Sequence, residues 1–277
     1  MRLVRVTIAL ALALLSLLVS TGAPANAADG GISGRVTDEA GNPIQGAGLN
    51  AQPMTGGNDG SAITDANGDY TIGGLAPGNY RVAAAAPGFV FELYDDTIDF
   101  SLATAVAVTS GADTPNIDFE LSSGGGISGL VTDEIGNPLQ GVFVEASFVD
   151  GCCSNGGATT GPEGVYTILG LAPGSYRVFA FTSPTSLSGE FYDNTSDLTA
   201  ATPVTVAEGA VTPSIDFTLS MGGSISGRVE DEVGNPIDGA SVDAILFEGC
   251  CAFAIATTSA DGTYTIEGLA AGSYRLF

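Results

Sequence analysis

The 277-residue chain contains no histidine, no lysine and no tryptophan. Without histidine it has neither a Ser-His-Asp nor a Cys-His catalytic unit, and no imidazole-ligated zinc. Without lysine it has no amine nucleophile and cannot form the Lys–Asn isopeptide cross-link of some surface-adhesin domains. Without tryptophan it lacks the largest stacking surface for a sugar ring. Basic charge is scarce as well. All seven basic residues are arginines, set against 31 carboxylates, for a formal net charge of −24. Such a field repels nucleic acid and anionic membrane surfaces. A solvated, solubilising surface is the plain reading of the acidity; a set of Ca²⁺ sites is the other.

One stretch stands apart from the rest. Arg2 and Arg5 precede an almost wholly apolar Val6–Val19, and Ala25-Asn26-Ala27 is a small-residue cleavage pattern. This is the organisation of a secretory signal over residues 1–27, and the apolar run is short for a membrane anchor. No later segment is long and apolar enough to span a bilayer, so a secreted, extracellular protein is expected, with no membrane insertion after cleavage.

The remainder repeats itself. Thr64–Val82 (TDANGDYTIGGLAPGNYRV) returns as a segment ending at Val178 and again as one ending at Leu276. Each copy offers an x-Gly turn (Asn67-Gly68, Glu163-Gly164, Asp261-Gly262), a Tyr-Thr-Ile strand, a Gly-Leu-Ala reversal and a Tyr-Arg strand. The glycine after Pro77 and Pro173 is expected at the left-handed position of a type II turn. Upstream, Ile32, Ile127 and Ile225 open three copies of one module, 95 and 98 residues apart. Each opening strand runs into an Asp-Glu-x-Gly-Asn-Pro turn at Asp38, Asp133 and Asp231. The expected modules are 28–122, 123–220 and 221–277, joined by short Gly/Ser stretches.

With about seven short alternating strands and frequent turns, each module is expected to be a small antiparallel β-sandwich in an all-β tandem array. Its first core is expected to hold Ile72, Leu75, Tyr80, Val106, Ile117 and Phe119. The third copy ends at Phe277, the counterpart of Phe179, without the equivalent of Ala180–Leu219, so either the sequence is a fragment or the last module cannot complete its sheets. Ile225, Val229, Val242, Ile245, Ile266 and Tyr274 are therefore expected to be incompletely buried, beside an open strand edge.

The pattern GxISGxVxDExGNPxxGxxV followed by DGxYTIxGLxPGxYRV resembles the carboxypeptidase regulatory-like domain. The resemblance covers nearly all of residues 30–277. It implies a prealbumin-like sandwich, grouped with carbohydrate-binding and starch-binding folds, and a non-catalytic accessory role. The peptidase domain that gave the family its name is absent.

Few residues suggest chemistry. Asp65-x-Asn67-x-Asp69 imitates the start of a calcium loop, but its glycine is misplaced and position twelve is Ala76, so a turn is the better reading. Better candidates are two equivalent acidic loops, with Tyr94, Asp95, Asp96 and Asp99 in one and Tyr192, Asp193, Asn194 and Asp197 in the other. An aromatic face beside carboxylate and amide oxygens could take a sugar or Ca²⁺. The alternative is a tyrosine packed on the sandwich end beside Asx-turn aspartates. Asn194-Thr195-Ser196 fits a glycosylation acceptor pattern by coincidence.

Cys152-Cys153 and Cys250-Cys251 are adjacent pairs at matching places. Without C-x-x-C spacing or histidine a metal site has little support. Free thiols and intermolecular bridges stay open, and a vicinal disulfide within each pair is the expectation. That bond is strained, because adjacent Cα atoms lie only about 3.8 Å apart.

The expected function is a secreted, non-catalytic spacer or surface-interaction protein. The alternative is a polysaccharide- or starch-binding accessory region of a larger secreted enzyme such as an amylase. Expected partners are a polysaccharide or another extracellular surface ligand, with no nucleic acid, and no cofactor is expected unless Ca²⁺ binds.

Overall fold

The computed structural model describes residues 29–149, 155–182, 186–246 and 253–277. Residues 1–27, where a secretory signal is expected, and both cysteine pairs, where vicinal disulfides are expected, lie outside the described residues. Among the described residues every regular element is a β-strand, and no helix is long and apolar enough to cross a membrane.

The first module holds nine strands: β1 (Gly30–Asp38), β2 (Gly48–Pro53), β3 (Gly60–Ile63), β4 (Asp69–Leu75), β5 (Gly78–Ala85), β6 (Glu92–Leu93), β7 (Val106–Val108), β8 (Asp113–Thr114) and β9 (Phe119–Leu121). They form two sheets. In one, β1 lies between β4 and the pair β8 and β9; in the other the order is β3-β2-β5-β6, with β7 also on β5. The second module repeats this as β10 (Gly125–Asp133), β11 (Phe143–Phe148), β12 (Asn155–Thr159), β13 (Val165–Leu171), β14 (Gly174–Phe181), β15 (Glu190–Phe191), β16 (Val204–Val206), β17 (Val211–Thr212) and β18 (Phe217–Leu219). The count exceeds the expected seven because two-residue strands such as β6 and β8 carry too little pattern to be read.

Alternation decides which side chains enter the core. Along β5, Tyr80, Val82 and Ala84 point inward, and along β1 Ile32 and Val36 do. All six expected core residues are buried, from Ile72 at 1% exposure to Ile117 at 7%. Each such side chain contributes about 1.5–3 kcal/mol when fully removed from water.

Three details differ from the expectation. The sandwich is not wholly antiparallel. The opening strand pairs in parallel with the closing ones, Gly31 opposite Asp113 and Val36 opposite Phe119, and β10 repeats this with β17 and β18. Secondly, the reversal's left-handed glycine in every copy is the one before the leucine; of the glycines after proline, Gly78 has no positive φ and Gly174 takes a more extended 156°. Gly74, Gly170 and Gly268 hold φ of 74°, 76° and 71°. The Gly73-Gly74 step makes a bulge, since Ile32 faces Ile72 while Gly30 faces Leu75. That extra residue changes the phase of β4, so Ile72 and Leu75, three apart, both reach the core. Thirdly, the Gly/Ser joints are bonded in place rather than free linkers, as described below.

The third module has five strands: β19 (Gly223–Arg228), β20 (Ser241–Leu246), β21 (Phe253–Thr257), β22 (Thr263–Leu269) and β23 (Tyr274–Leu276). Among the described residues, β19 pairs only β22, and β23 pairs only β20. Its core is small. Ile225, Val229 and Tyr274 are partly covered and Ile245 is exposed, as expected. Val242 and Ile266, at 6% and 1%, are buried instead. They belong to one small apolar cluster with Ala244 and Leu269, against which Ala254, Ala256 and Tyr264 also pack.

Candidate functional site

The acidic loops follow β6 and β15. Leu93 and Thr97 exchange backbone hydrogen bonds (2.7 and 3.2 Å), as do Phe191 and Thr195, which closes each loop on itself. Asp96, Asp193 and Asn194 take φ of 51°, 74° and 57°, a left-handed conformation that Asp and Asn tolerate better than most residues. The Tyr94 N–H donates to the Val82 carbonyl and the Tyr192 N–H to that of Val178. These bonds hang the loops from the central strands β5 and β14.

The two tyrosine rings turn inward. Tyr94 meets Phe119 edge-on at 6.0 Å and Tyr192 meets Phe217 at 6.2 Å, both half-buried against the core. Asp99 accepts from the Ser101 N–H and hydroxyl, and Asp197 from those of Thr199, at 2.8 Å each. The bonds to Ser101 and Thr199 hold both carboxyls below the ordinary range. Asp95, Asp96, Asp193 and Asn194 are exposed, and Asp193 also accepts from Thr202 at 3.2 Å. The structure thus brings each loop's oxygens to one sandwich end. Among the described residues, no three carboxylates converge as metal ligands would. The Asp65 segment is a turn in which Asp65 Oδ1 accepts from the N–H groups of Asn67 and Asp69.

Sequence reasoning passed over two features beside these loops. Glu92 is half-buried with Oε1 unpartnered. Burial first, then the charges of Asp96, Glu120 and Asp95, push its carboxyl up to about 7. On the outer face of β14, Phe179 and Phe181 stack at 5.5 Å, and Phe143 meets Phe181 edge-on at 5.5 Å. The corresponding positions of module 1 are Ala83, Ala85 and Gly48. The available signal was an apolar residue at both phases of Tyr176–Phe181, where a half-buried strand alternates.

The joints carry the same geometry twice. Ser122–Gly124 lies antiparallel to Gly88–Val90: Val90 N–H donates to Ser122, and Gly124 N–H to Gly88, at 3.0 and 2.9 Å. At the second joint Ser188 donates to Ser220 and Gly222 to Ser186, at 2.9 and 2.7 Å. The next module closes down on this ladder. A Cβ on Gly124 would sit 2.4 Å from Gly170 Cα, and one on Gly170 would sit 2.7 Å from the Phe89 carbonyl oxygen. Gly222 and Gly268 repeat that contact, and Ser186 bonds Glu267 across the second joint at 3.2 Å.

A cleft of about 520 Å³ lies at the end of module 2, between its acidic loop at Asn194–Ser196 and the open edges of module 3 at Gly223–Ile225 and Gly272–Tyr274.

Three segments of the chain, 31–122, 126–220 and 224–277, match the model of the carboxypeptidase regulatory-like domain. Among solved structures the chain is similar to the Bacillus anthracis TIE protein, at 14% identity and a TM-score of 0.29 over 90% of this chain. It spans 48% of that protein, about half its length. It is similar to a Streptococcal ancillary pilin at 14% identity and a TM-score of 0.30, over 90% of this chain and 89% of that one. For GBS52, a minor pilin of Streptococcus agalactiae, the figures are 14%, 0.33, 69% and 96%. Matched in every module and over most of its length, the chain belongs to the carboxypeptidase regulatory-like domain family.

Proposed function

We propose that the protein is a non-catalytic extracellular structural array that holds its ends apart at a fixed geometry. One observation carries this reading. The joint between modules is a hydrogen-bonded ladder packed glycine on glycine, and it occurs twice with the same partners. A flexible tether needs no such ladder, because free Gly/Ser chain adopts many conformations at little cost. Export is supported by the pattern of residues 1–27, and the dense negative charge suits a solvated surface.

Small-angle scattering of the secreted chain tests the reading. A single rigid shape is expected, with a radius of gyration that stays the same between low and high salt. A scattering profile that only an ensemble of independently tumbling modules can fit would overturn it.

Polysaccharide or Ca²⁺ binding at Tyr94–Asp99 and Tyr192–Asp197 has less support, since both rings are engaged by the core and the exposed oxygens alone remain. Titration calorimetry with soluble starch and with Ca²⁺ decides that reading directly.

A further inference from the structure

The three modules share one framework, so a place where one departs from its sisters is informative. The smaller sheet of module 2 departs on its outer face. Leu130 stands opposite Val165 in the ladder between β10 and β13. Leu169 on β13 and Val211 on β17 flank Gly126 from either side. All four side chains meet solvent, from 38% exposed at Leu130 to 56% at Leu169. An added Cβ on Gly126 would lie 3.0 Å from Leu169 Cδ2 and 3.3 Å from Val211 Cγ2, so both side chains lean over the glycine. Ser128 and Thr167, short and uncharged, stand opposite each other in the row between. The result is an aliphatic surface running across β13, β10 and β17.

The same places are polar or bare elsewhere. Module 1 carries Arg35, Asp69, Gly73 and Asp113 there, with Arg35 and Asp69 paired at 3.8 Å. Module 3 carries Arg228, Thr263 and Glu267. Core packing does not explain the change. The inward residues that alternate with these, Ile127, Val131, Tyr166 and Ile168, are Ile32, Val36, Tyr70 and Ile72 in module 1. A free sheet face is ordinarily polar, and contiguous apolar surface with a polar rim marks an interaction site. The rim here is acidic. The exposed Asp216 accepts from the Leu130 N–H at 2.8 Å. Glu163 and Glu208 are exposed in the turns just before Val165 and Val211. The strands of this sheet carry no arginine; the one basic residue of 123–220, Arg177, is on β14 in the other sheet.

We infer that this face of module 2 is a docking surface for a basic amphipathic helix of another protein, aliphatic along its contact stripe and carrying lysine or arginine on its flanks. A helix is an element that covers one face of a sheet, and its side chains at i, i+3, i+4 and i+7 form a stripe that fits an aliphatic row. The carboxylates of Asp216, Glu163 and Glu208 then meet ammonium or guanidinium groups, which speeds encounter and rejects acidic partners. A second copy of this chain does not fit. Its net charge is −24 and it has no lysine, so two such faces brought together set one carboxylate rim against another. The inference does not depend on the array being a rigid spacer.

The test uses the chain and a fluorescent synthetic helix of leucine and lysine, with the leucines along one face. Anisotropy should report saturable one-to-one binding that weakens as salt is added. Sister peptides with glutamate for every lysine, or serine for every leucine, should bind about tenfold more weakly or worse. Two variants of the chain borrow residues that a sister module already carries, which preserves the sheet. One is Leu130→Arg, Val165→Asp, Leu169→Gly and Val211→Asp, after module 1. The other is Leu130→Arg, Val165→Thr and Leu169→Glu, after module 3. Neither makes the net charge less negative, so unselective attraction of a cation would survive in both. Docking on the aliphatic row should instead weaken about tenfold or more in both, with the circular dichroism unchanged. Photoreactive leucine in the peptide should label β10, β13 or β17. Absent binding, equal binding of either sister peptide, undiminished binding to a folded variant, or labelling confined to modules 1 and 3 would each overturn the inference. So would a concentration-dependent dimer of the free chain that the substitutions abolish, since the occupant would then be a second copy.

Discussion

The buried threonine that begins each repeat, Thr64, Thr160 or Thr258, works as a two-way clamp. Thr64 Oγ1 donates to the Ile44 carbonyl at 2.6 Å and accepts from the Ala47 N–H at 2.9 Å, and the other two make equivalent bonds. Replacing it by valine keeps the shape and strands two buried backbone groups. Thr64→Val should therefore lower stability by about 1–3 kcal/mol, read from urea denaturation. The repeated position of this threonine was plain in the sequence. Its role was not, because its partners lie 17 to 20 residues upstream in a turn that periodicity does not reach. Titration adds a second residue-scale prediction. A carboxyl raised to about 7 from its ordinary 4.5, as Glu92 is, binds more protons folded than unfolded between those values. Its effect on stability therefore falls as pH rises through that window. The carboxyls of Asp38, Asp133 and Asp231 are lowered by their Asn partners. They stabilise above their unfolded pKa, and that contribution is lost as pH falls through the folded one. Thermal stability should peak in mild acid. Glu92→Gln should raise the melting temperature at pH 8 and leave it nearly unchanged at pH 5.

At the scale of elements, the reversal glycines separate two effects that usually come together. Gly74 and Gly170 share a left-handed backbone, but an added Cβ meets nothing within 4 Å at Gly74 and the Phe89 carbonyl at 2.7 Å at Gly170. Gly74→Ala should cost only the backbone term, about 1–2 kcal/mol. Gly170→Ala should cost that and also loosen the joint, with faster hydrogen exchange at the Val90 and Gly124 amides. Strand positions and facing were legible here, since Tyr80, Val82 and Ala84 alternate cleanly. Three things were not. The parallel seam joins Val36 to Phe119, 83 residues apart, and local pattern says nothing of which distant edge a strand will choose. Ser122–Gly124 has the composition of a tether, and composition does not record a backbone ladder. In the acidic loops the residues and their shared location were legible, but the direction of the Tyr94 and Tyr192 rings depends on Phe119 and Phe217, which arrive from the closing strand.

Across the whole molecule, stability should be graded. Modules 1 and 2 each bury a continuous two-sheet core, whereas the apolar core of module 3 is only Val242, Ala244, Ile266 and Leu269 among its described residues. Native-state hydrogen exchange of the chain should find slow amides in β1, β5, β10 and β14 and fast ones in β19 and β23; equal protection throughout would contradict this. The parallel seam also has a mechanical meaning. Tension reaches module 1 at Gly30, the start of β1, and at Leu121, the end of β9, and these two strands lie side by side and point the same way. Pulling the ends apart drags one strand lengthwise along the other, so the bonds between them load together instead of opening one at a time. Module 2 is loaded in the same way through β10 and β18. Under stretching in a force spectrometer, the two complete modules should hold to high force and then yield in two separate, abrupt steps.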